Sequence, residues 1–144
     1  MKLAFSLCSL SKIYEMGEEK IVALDAVNLE VPEGDYVAIT GPSGSGKSTL
    51  LNLLGCLDRP TSGKYELSET SVETLDDQEL SSLRAKSIGF IFQSYNLIPY
   101  LSVLENIAIP ASYNKDSLLT LDQTKSLANR VGLEDRHDHL PLQL

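Results

Sequence analysis

Gly41-Pro-Ser-Gly-Ser-Gly-Lys-Ser-Thr49 fits the pattern Gly-x-x-x-x-Gly-Lys-[Ser/Thr], and it lies between an apolar run, Tyr36-Val-Ala-Ile-Thr40, and a leucine-rich run, Leu50-Leu-Asn-Leu-Leu54. A strand, a glycine loop and a helix in that order are the context a P-loop needs. Glycines at 41, 44 and 46 admit backbone conformations that a Cβ would block, so successive N–H groups of the stretch, including those of Ser43 and Ser45 after Pro42, can turn toward one anion. A helix starting near Gly46 adds unpaired N–H donors and the positive end of its dipole. Lys47 is long enough to reach the β- and γ-phosphates, Ser48 can offer its hydroxyl to Mg²⁺, and Thr49 can donate one more hydrogen bond. The plain alternative is a Gly/Ser turn ahead of a core helix. The complete pattern with both flanks in place favours a nucleotide site.

The chain has 144 residues, 42% apolar and 22% charged, with a net charge of −8. That is the size of one domain able to bury a sizeable core. An acidic balance argues against a nucleic-acid surface, because phosphate backbones select excess Lys and Arg. Cys8 and Cys56 have no metal-ligand spacing and do not make a secreted disulfide framework, so both read as small buried residues. The opening Met1-Lys-Leu-Ala-Phe-Ser-Leu-Cys8 has a signal-like charge and apolar stretch, but its alternation of Leu3, Phe5 and Leu7 fits a strand better and no small-x-small site follows. No apolar run is long enough to span a bilayer. A cytosolic chain is expected, held at a membrane only through partners.

In chain order, residues 2 to 9 read as a strand and Glu15-Met-Gly-Glu-Glu19 as a turn. Val22 and Leu24, then Val27, Leu29 and Val31, keep period two on either side of a slip that is a bulge or a short turn. This predicts an antiparallel β layer. Pro32-Glu-Gly-Asp35 is a tight turn into Tyr36 to Thr40, whose unbroken apolarity predicts a strand buried on both faces of a parallel sheet. The helix after the loop is expected to end at Gly55, Asp58-Arg-Pro-Thr-Ser-Gly63 to turn, and Lys64 to Leu67 to return as a short strand. Asp76 and Glu79 predict a helix start ahead of Leu80 and Leu83. Ile88-Gly-Phe-Ile-Phe92 reads as a second buried strand ending in Gln93. Capping boxes at Ser102/Glu105 and Thr120/Gln123 then predict two helices, the second closed by Gly132 as its C′ residue, with Asn114 to Thr120 as the linker. The class is α/β, with a helical last third and no internal repeat.

Taken together, Tyr14, the loop at 41 to 49, Leu57-Asp-Arg-Pro-Thr-Ser-Gly63, Ile88-Gly-Phe-Ile-Phe-Gln93 and Asn96-Leu-Ile-Pro99 resemble the ATP-binding subunits of ATP-binding cassette (ABC) transporters. Phe92-Gln-Ser-Tyr-Asn-Leu-Ile-Pro99, with Glu105-Asn106 and Pro110, resembles the branch of lipoprotein-releasing and macrolide-export ATPases. The resemblance implies a P-loop NTPase core with an N-terminal antiparallel β layer and the beginning of an ABC-type helical subdomain, divided as residues 1 to 93 and 94 to 144. It implies MgATP as ligand and an ATPase that couples hydrolysis to export or extraction. Implied partners are membrane-spanning subunits, met through Gln93 to Leu104, and a second ATP-binding subunit, with the chain peripheral at the inner face of the cell membrane. Tyr14 matches the aromatic residue that stacks on adenine, and read alone it is equally a strand-end tyrosine with a wet hydroxyl. Gln93 matches the glutamine that reaches Mg²⁺ and the attacking water, and read alone it is a solvated strand end. Catalytic roles are thereby implied for Lys47 and Gln93, and metal contacts for Ser48 and Gln93.

The sequence departs from the family in two places. Leu67-Ser-Glu-Thr-Ser71 stands where a glycine turn is usual, which touches only a surface turn. Pro141-Leu-Gln-Leu144 resembles the residues just before the family's Ser-Gly-Gly-Gln signature, and no apolar strand ending in Asp-Glu and no switch histidine is found, His137 and His139 reading as polar loop residues. The expectation is a partial ABC domain with an incomplete sheet, in which Tyr36–Thr40 and Ile88–Phe92 have unpaired edges, the isolated chain is marginally stable, and hydrolysis is lost because the water-orienting groups are missing. A non-catalytic nucleotide-binding module docking on a transporter is the alternative. An unrelated P-loop kinase finds no support beyond the loop.

Overall fold

The computed structural model describes residues 2–113 and 119–144, so most of the expected linker, 114–118, lies outside the described residues. The chain divides into two compact units, Met1–Leu80 and Ser81–Leu144.

A long hairpin organises the first unit. Strands β1 (Leu3–Met16) and β2 (Glu19–Pro32) pair antiparallel across Gly17 and Glu18. Strand β3 (Ser62–Leu67) joins the other edge of β1, and β4 (Thr70–Ser71) follows, giving the order β2-β1-β3-β4. This is the antiparallel layer expected from the alternation, but β1 runs on to Met16 where the sequence reading stopped at residue 9. The reason is a bulge. Pairing steps from Leu7↔Leu29 to Leu10↔Val27, which places one extra residue on β1 and shifts the apolar period. Ser9 takes a φ of 48° there, and its N–H donates to Asn28 Oδ1 at 2.8 Å. The slip between Leu24 and Val27 is likewise a bulge within one strand. Ala26, with φ 46°, donates its N–H to Ser11 Oγ at 2.9 Å. Each side-chain acceptor replaces a ladder partner that the bulge removes.

Helix α1 (Lys47–Leu54) buries Leu50 and Leu53, three residues apart and so on one face. They join Leu7, Leu10, Leu24, Val31 and Tyr65 in the core. Tyr65, 1% exposed, donates its hydroxyl to Leu54 O at 2.7 Å, giving a partner to one of the carbonyls that a helix end leaves open. Burial pushes the Tyr65 phenol well above its ordinary pKa, with Cys56 adding to the effect. The helix does stop at Gly55, but the left-handed residue is Cys56, φ 52°, while Gly55 keeps a φ of −78°. Cys56 N–H donates to Leu53 O and Leu57 N–H to Asn52 O, the paired bonds of a Schellman ending with Cys56 as C′. Its buried side chain offsets the strain that glycine would have avoided.

Tyr36 to Thr40 departs from expectation. Turn Pro32–Asp35 forms as read, with Asp35 N–H donating to Pro32 O at 3.4 Å, yet residues 36–40 belong to no strand and Tyr36 is 95% exposed. Ile88 to Phe92 in the second unit also lies outside any strand, and Ile91 is fully exposed. A strand of a parallel sheet exists only through neighbours on its hydrogen-bonding edges, and the described sheet offers these segments none. The expectation of burial on both faces is therefore not met, whereas unpaired edges are what the structure shows.

Helix α2 (Asp77–Ser87), within which the two units divide, starts in a reciprocal box. Glu79 N–H donates to Asp76 Oδ1 at 2.8 Å and Asp76 N–H to Glu79 Oε2 at 2.9 Å. In the second unit, α3 (Val103–Ser112) and α4 (Leu121–Asn129) begin in the two expected capping boxes, Ser102/Glu105 and Thr120/Gln123. The remaining early donors of α3 are also met: Val103 N–H donates to His139 O and Leu104 N–H to His137 O. Backbone bonds to Ser102 lower the Glu105 carboxyl below its ordinary pKa. Gly132, φ 76°, closes α4 as its C′ residue, with Leu133 N–H donating to Ala128 O and Gly132 N–H to Asn129 O. Val103, Thr124 and Ala128 are buried in this unit.

Candidate functional site

The glycine loop runs into α1, and Gly46 sits at its start in the left-handed region, φ 84°. A Cβ on Gly46 would meet Ala23 O at 2.5 Å and Leu24 Cδ2 at 2.9 Å. Two demands thus fix glycine here, backbone handedness and close approach of the loop to β2. Ala23 is itself the extra residue of a bulge, since pairing steps from Lys12↔Leu24 to Ile13↔Val22. Such a bulge re-aims the backbone, and here it sets the β2 carbonyl against the loop.

Behind this contact lies a cavity of about 320 Å³ lined by Ile21, Val22, Ala23, Ser43, Gly44, Gly46, Lys47, Ser48 and Thr49. No side chain caps the N-terminus of α1, so the N–H groups of its first turn have no partner from the helix or from a cap. The Lys47 ammonium lies over the loop, donating to Pro42 O at 2.6 Å and Gly41 O at 2.9 Å, with Ser45 Oγ 3.5 Å away. Carbonyl oxygens are weaker partners for an ammonium than an anion would be, so the charge is held ready beside the open donors. Six of the nine predicted loop residues, Ser43, Gly44, Gly46, Lys47, Ser48 and Thr49, line the cavity, and Gly41, Pro42 and Ser45 hold the ammonium.

Tyr14 is not in the cavity wall, but its register partner Ile21 is. Its hydroxyl donates to Asp58 Oδ2 at 2.9 Å. Lys12 Nζ lies 4.8 Å from the centroid of the Tyr14 ring and donates to Asp58 Oδ1 at 2.6 Å and to Arg59 O at 2.7 Å. The hydrogen bond to Asp58 raises the Tyr14 phenol above its ordinary pKa. Partial burial pushes the Asp58 carboxyl up, but bonds from Lys12, Tyr14 and the Arg59 N–H outweigh it and hold the group below its ordinary value. In sequence Asp58 stood in a turn and in one of the motifs of the resemblance, without a role of its own. Its tie to Tyr14, 44 positions away, has no sequence signal.

Gln93 falls in the second unit and is exposed, following Phe90 and Phe92, whose rings stack at 5.3 Å. The segment after it is pinned by Asn106, which accepts from Ile98 N–H at 2.8 Å and donates to Leu101 O at 2.9 Å and Ser102 O at 3.0 Å. Asn106 is thus an organising residue that the sequence reading quoted without a role. His137 bonds Asn129 Oδ1 through Nε2 at 2.8 Å, in keeping with a polar loop residue.

A glycine loop of this form, a helix behind it and an antiparallel layer packed on both define a P-loop domain of the α/β class. The description of the ABC transporter family matches residues 24–143, and the chain belongs to that family. It is 49% identical, over its whole length, to an ABC transporter ATP-binding protein of Thermotoga maritima, of which it spans 62%. It is 44% identical to the macrolide export ATP-binding/permease protein MacB of Salmonella choleraesuis, matching 22% of that protein. Among solved structures, the dimeric ATP-binding cassette MJ0796 in a post-hydrolysis state with ADP and Pi is similar, at a TM-score of 0.88 and 42% identity over 97% of this chain and 62% of that one. The chain thus spans less than two thirds of the length of these relatives.

Proposed function

We propose that the chain is the nucleotide-binding part of an ABC transporter ATPase, holding MgATP through residues 41–49 and, in the whole protein, serving export or extraction by membrane-spanning chains. The observation that carries this is the cavity at the start of α1, lined by Ser43, Gly44, Gly46, Lys47, Ser48 and Thr49, where no side chain caps the helix. At about 320 Å³ it lies at the small end of ligand pockets and suits a triphosphate tail better than a complete nucleotide. The backbone N–H groups bind phosphate oxygens, and Lys47 exchanges the carbonyls of Gly41 and Pro42 for the terminal phosphates. The magnesium fit rests on the donor set. Ser48 brings one hydroxyl to the cavity, and among the described residues no group of three or more His, Cys, Asp or Glu could hold a metal. A small hard cation held by one hydroxyl, phosphate oxygens and water matches the habit of magnesium at nucleotide sites. When bound, it supplies charge neutralisation at the phosphates.

Gln93 is assigned to the metal and the attacking water in the whole protein, and Gln93 to Leu104 to the membrane-spanning partner. Residues 1 to 93 then form the nucleotide core and 94 to 144 the helical continuation. That MJ0796 is dimeric and that MacB joins an ATP-binding part to a permease support a second ATP-binding subunit and a place against the membrane, at its cytoplasmic face. Among the described residues no helix is long and apolar enough to cross a membrane.

Titration calorimetry with MgATP tests the reading. Lys47→Ala removes charge-assisted bonds to phosphate and is expected to weaken binding by about tenfold or more. Unchanged affinity in that variant overturns the loop assignment.

A further inference from the structure

Lys12, Tyr14 and Asp58 form one connected group whose contacts constrain the tyrosine ring, and Tyr14 pairs with Ile21, a residue of the loop cavity. Lys12 and Tyr14 are two residues apart on β1 and share a face of the strand. The Lys12 ammonium covers one face of the ring at 4.8 Å, so a second π-system can lie only against the other. The phenol hydroxyl is tied to Asp58 Oδ2, and the other carboxylate oxygen is taken by Lys12 and by the Arg59 N–H at 2.7 Å. Asp58 is itself anchored, because it follows the Schellman ending of α1, the helix that carries the loop's lysine. Ile21, the register partner of Tyr14 on β2, lines the cavity. The ring is thereby held by a contact on one face and a bond at its hydroxyl.

We propose that Asp58, braced by Lys12, is a positioning residue that fixes the Tyr14 ring at the cavity rim and so sets how strongly the site favours a base-bearing triphosphate over a bare one. The inference rests on the nucleotide reading above and deepens it. A cavity with room for little more than the triphosphate leaves the base outside, where an aromatic face is the natural contact. Stacking returns free energy only if the ring is already held in place, since a free rotamer must first be ordered. The triphosphate makes no use of the ring. Loss of the tether is therefore felt by ATP and not by tripolyphosphate.

The experiment is calorimetric titration of the full chain with MgATP and, separately, with magnesium tripolyphosphate. Asp58→Ala is expected to narrow the affinity ratio between the two by about tenfold, leaving tripolyphosphate binding in place. Tyr14→Phe keeps a stacking ring and loses only the tether, so it is expected to narrow the ratio in the same direction without disturbing the core. If Asp58→Ala weakens both ligands equally, or Tyr14→Phe leaves the ratio unchanged, the positioning role is overturned while the loop assignment stands. If the unaltered chain binds neither ligand, the nucleotide reading falls and takes this role with it.

Discussion

Residues 22–31 and residues 36–40 are both rich in Val, Leu, Ile and Ala, yet only the first is strand. In β2 every residue has β1 within reach, because a two-residue turn returns the chain on itself and closing so short a loop costs little. Tyr36 to Thr40 has the composition of a buried parallel strand and, among the described residues, no strand beside it, and Ile88 to Phe92 repeats the case in the second unit. Apolar alternation marks a segment that can pair. A partner at the right sequence distance decides whether it does.

The comparison breaks most readily where the paired layer is tightest. A Cβ at Gly63 would collide with the Ser9 carbonyl and approach Leu10 Cα at 2.6 Å, and the residue holds a φ of 92°. Gly63→Val is expected to cost the first unit about 3 kcal/mol, read as a lowered urea midpoint by tyrosine fluorescence. A variant as stable as the parent would show that the β1–β3 junction does not hold the layer. In the second unit the caps are local, so Ser102→Ala is expected to cost about 1 kcal/mol, with hydrogen exchange quickening in α3 and unchanged in β1 and β2. Faster exchange in the sheet as well would mean that the units melt as one. The smallest effect is predicted for Ile91→Lys. As Ile91 is fully exposed, the stability change should stay within about 0.5 kcal/mol, while light scattering on concentration falls because an apolar unpaired edge gains a charge. A loss of several times that size would show that residues 88–92 are packed in solution.

The fold legible in sequence was the part whose partners are near. Capping boxes at Asp76/Glu79, Ser102/Glu105 and Thr120/Gln123 and the glycine C′ at 132 all formed as read, because each needs only three to six consecutive residues. The glycine loop belongs with them. The stop of α1 at Gly55 formed as read too, and the structure adds that the left-handed residue there is the buried Cys56, one place on.

By itself the sequence determined the glycine loop, the helix starts and stops, and the antiparallel character of the first thirty residues, since all of these rest on short-range sterics and hydrogen bonds. The tertiary structure alone decided that the slips in β1 and β2 are bulges, that Ala23 presses against Gly46, and that Asp58 reaches Tyr14 across 44 positions. It alone also shows that, among the described residues, two strand-like segments belong to no strand. The physical reason is common to these cases. Pairing, close approach and ion pairing depend on which surfaces meet, and a linear pattern of residue types carries the capacity for a contact without carrying its partner.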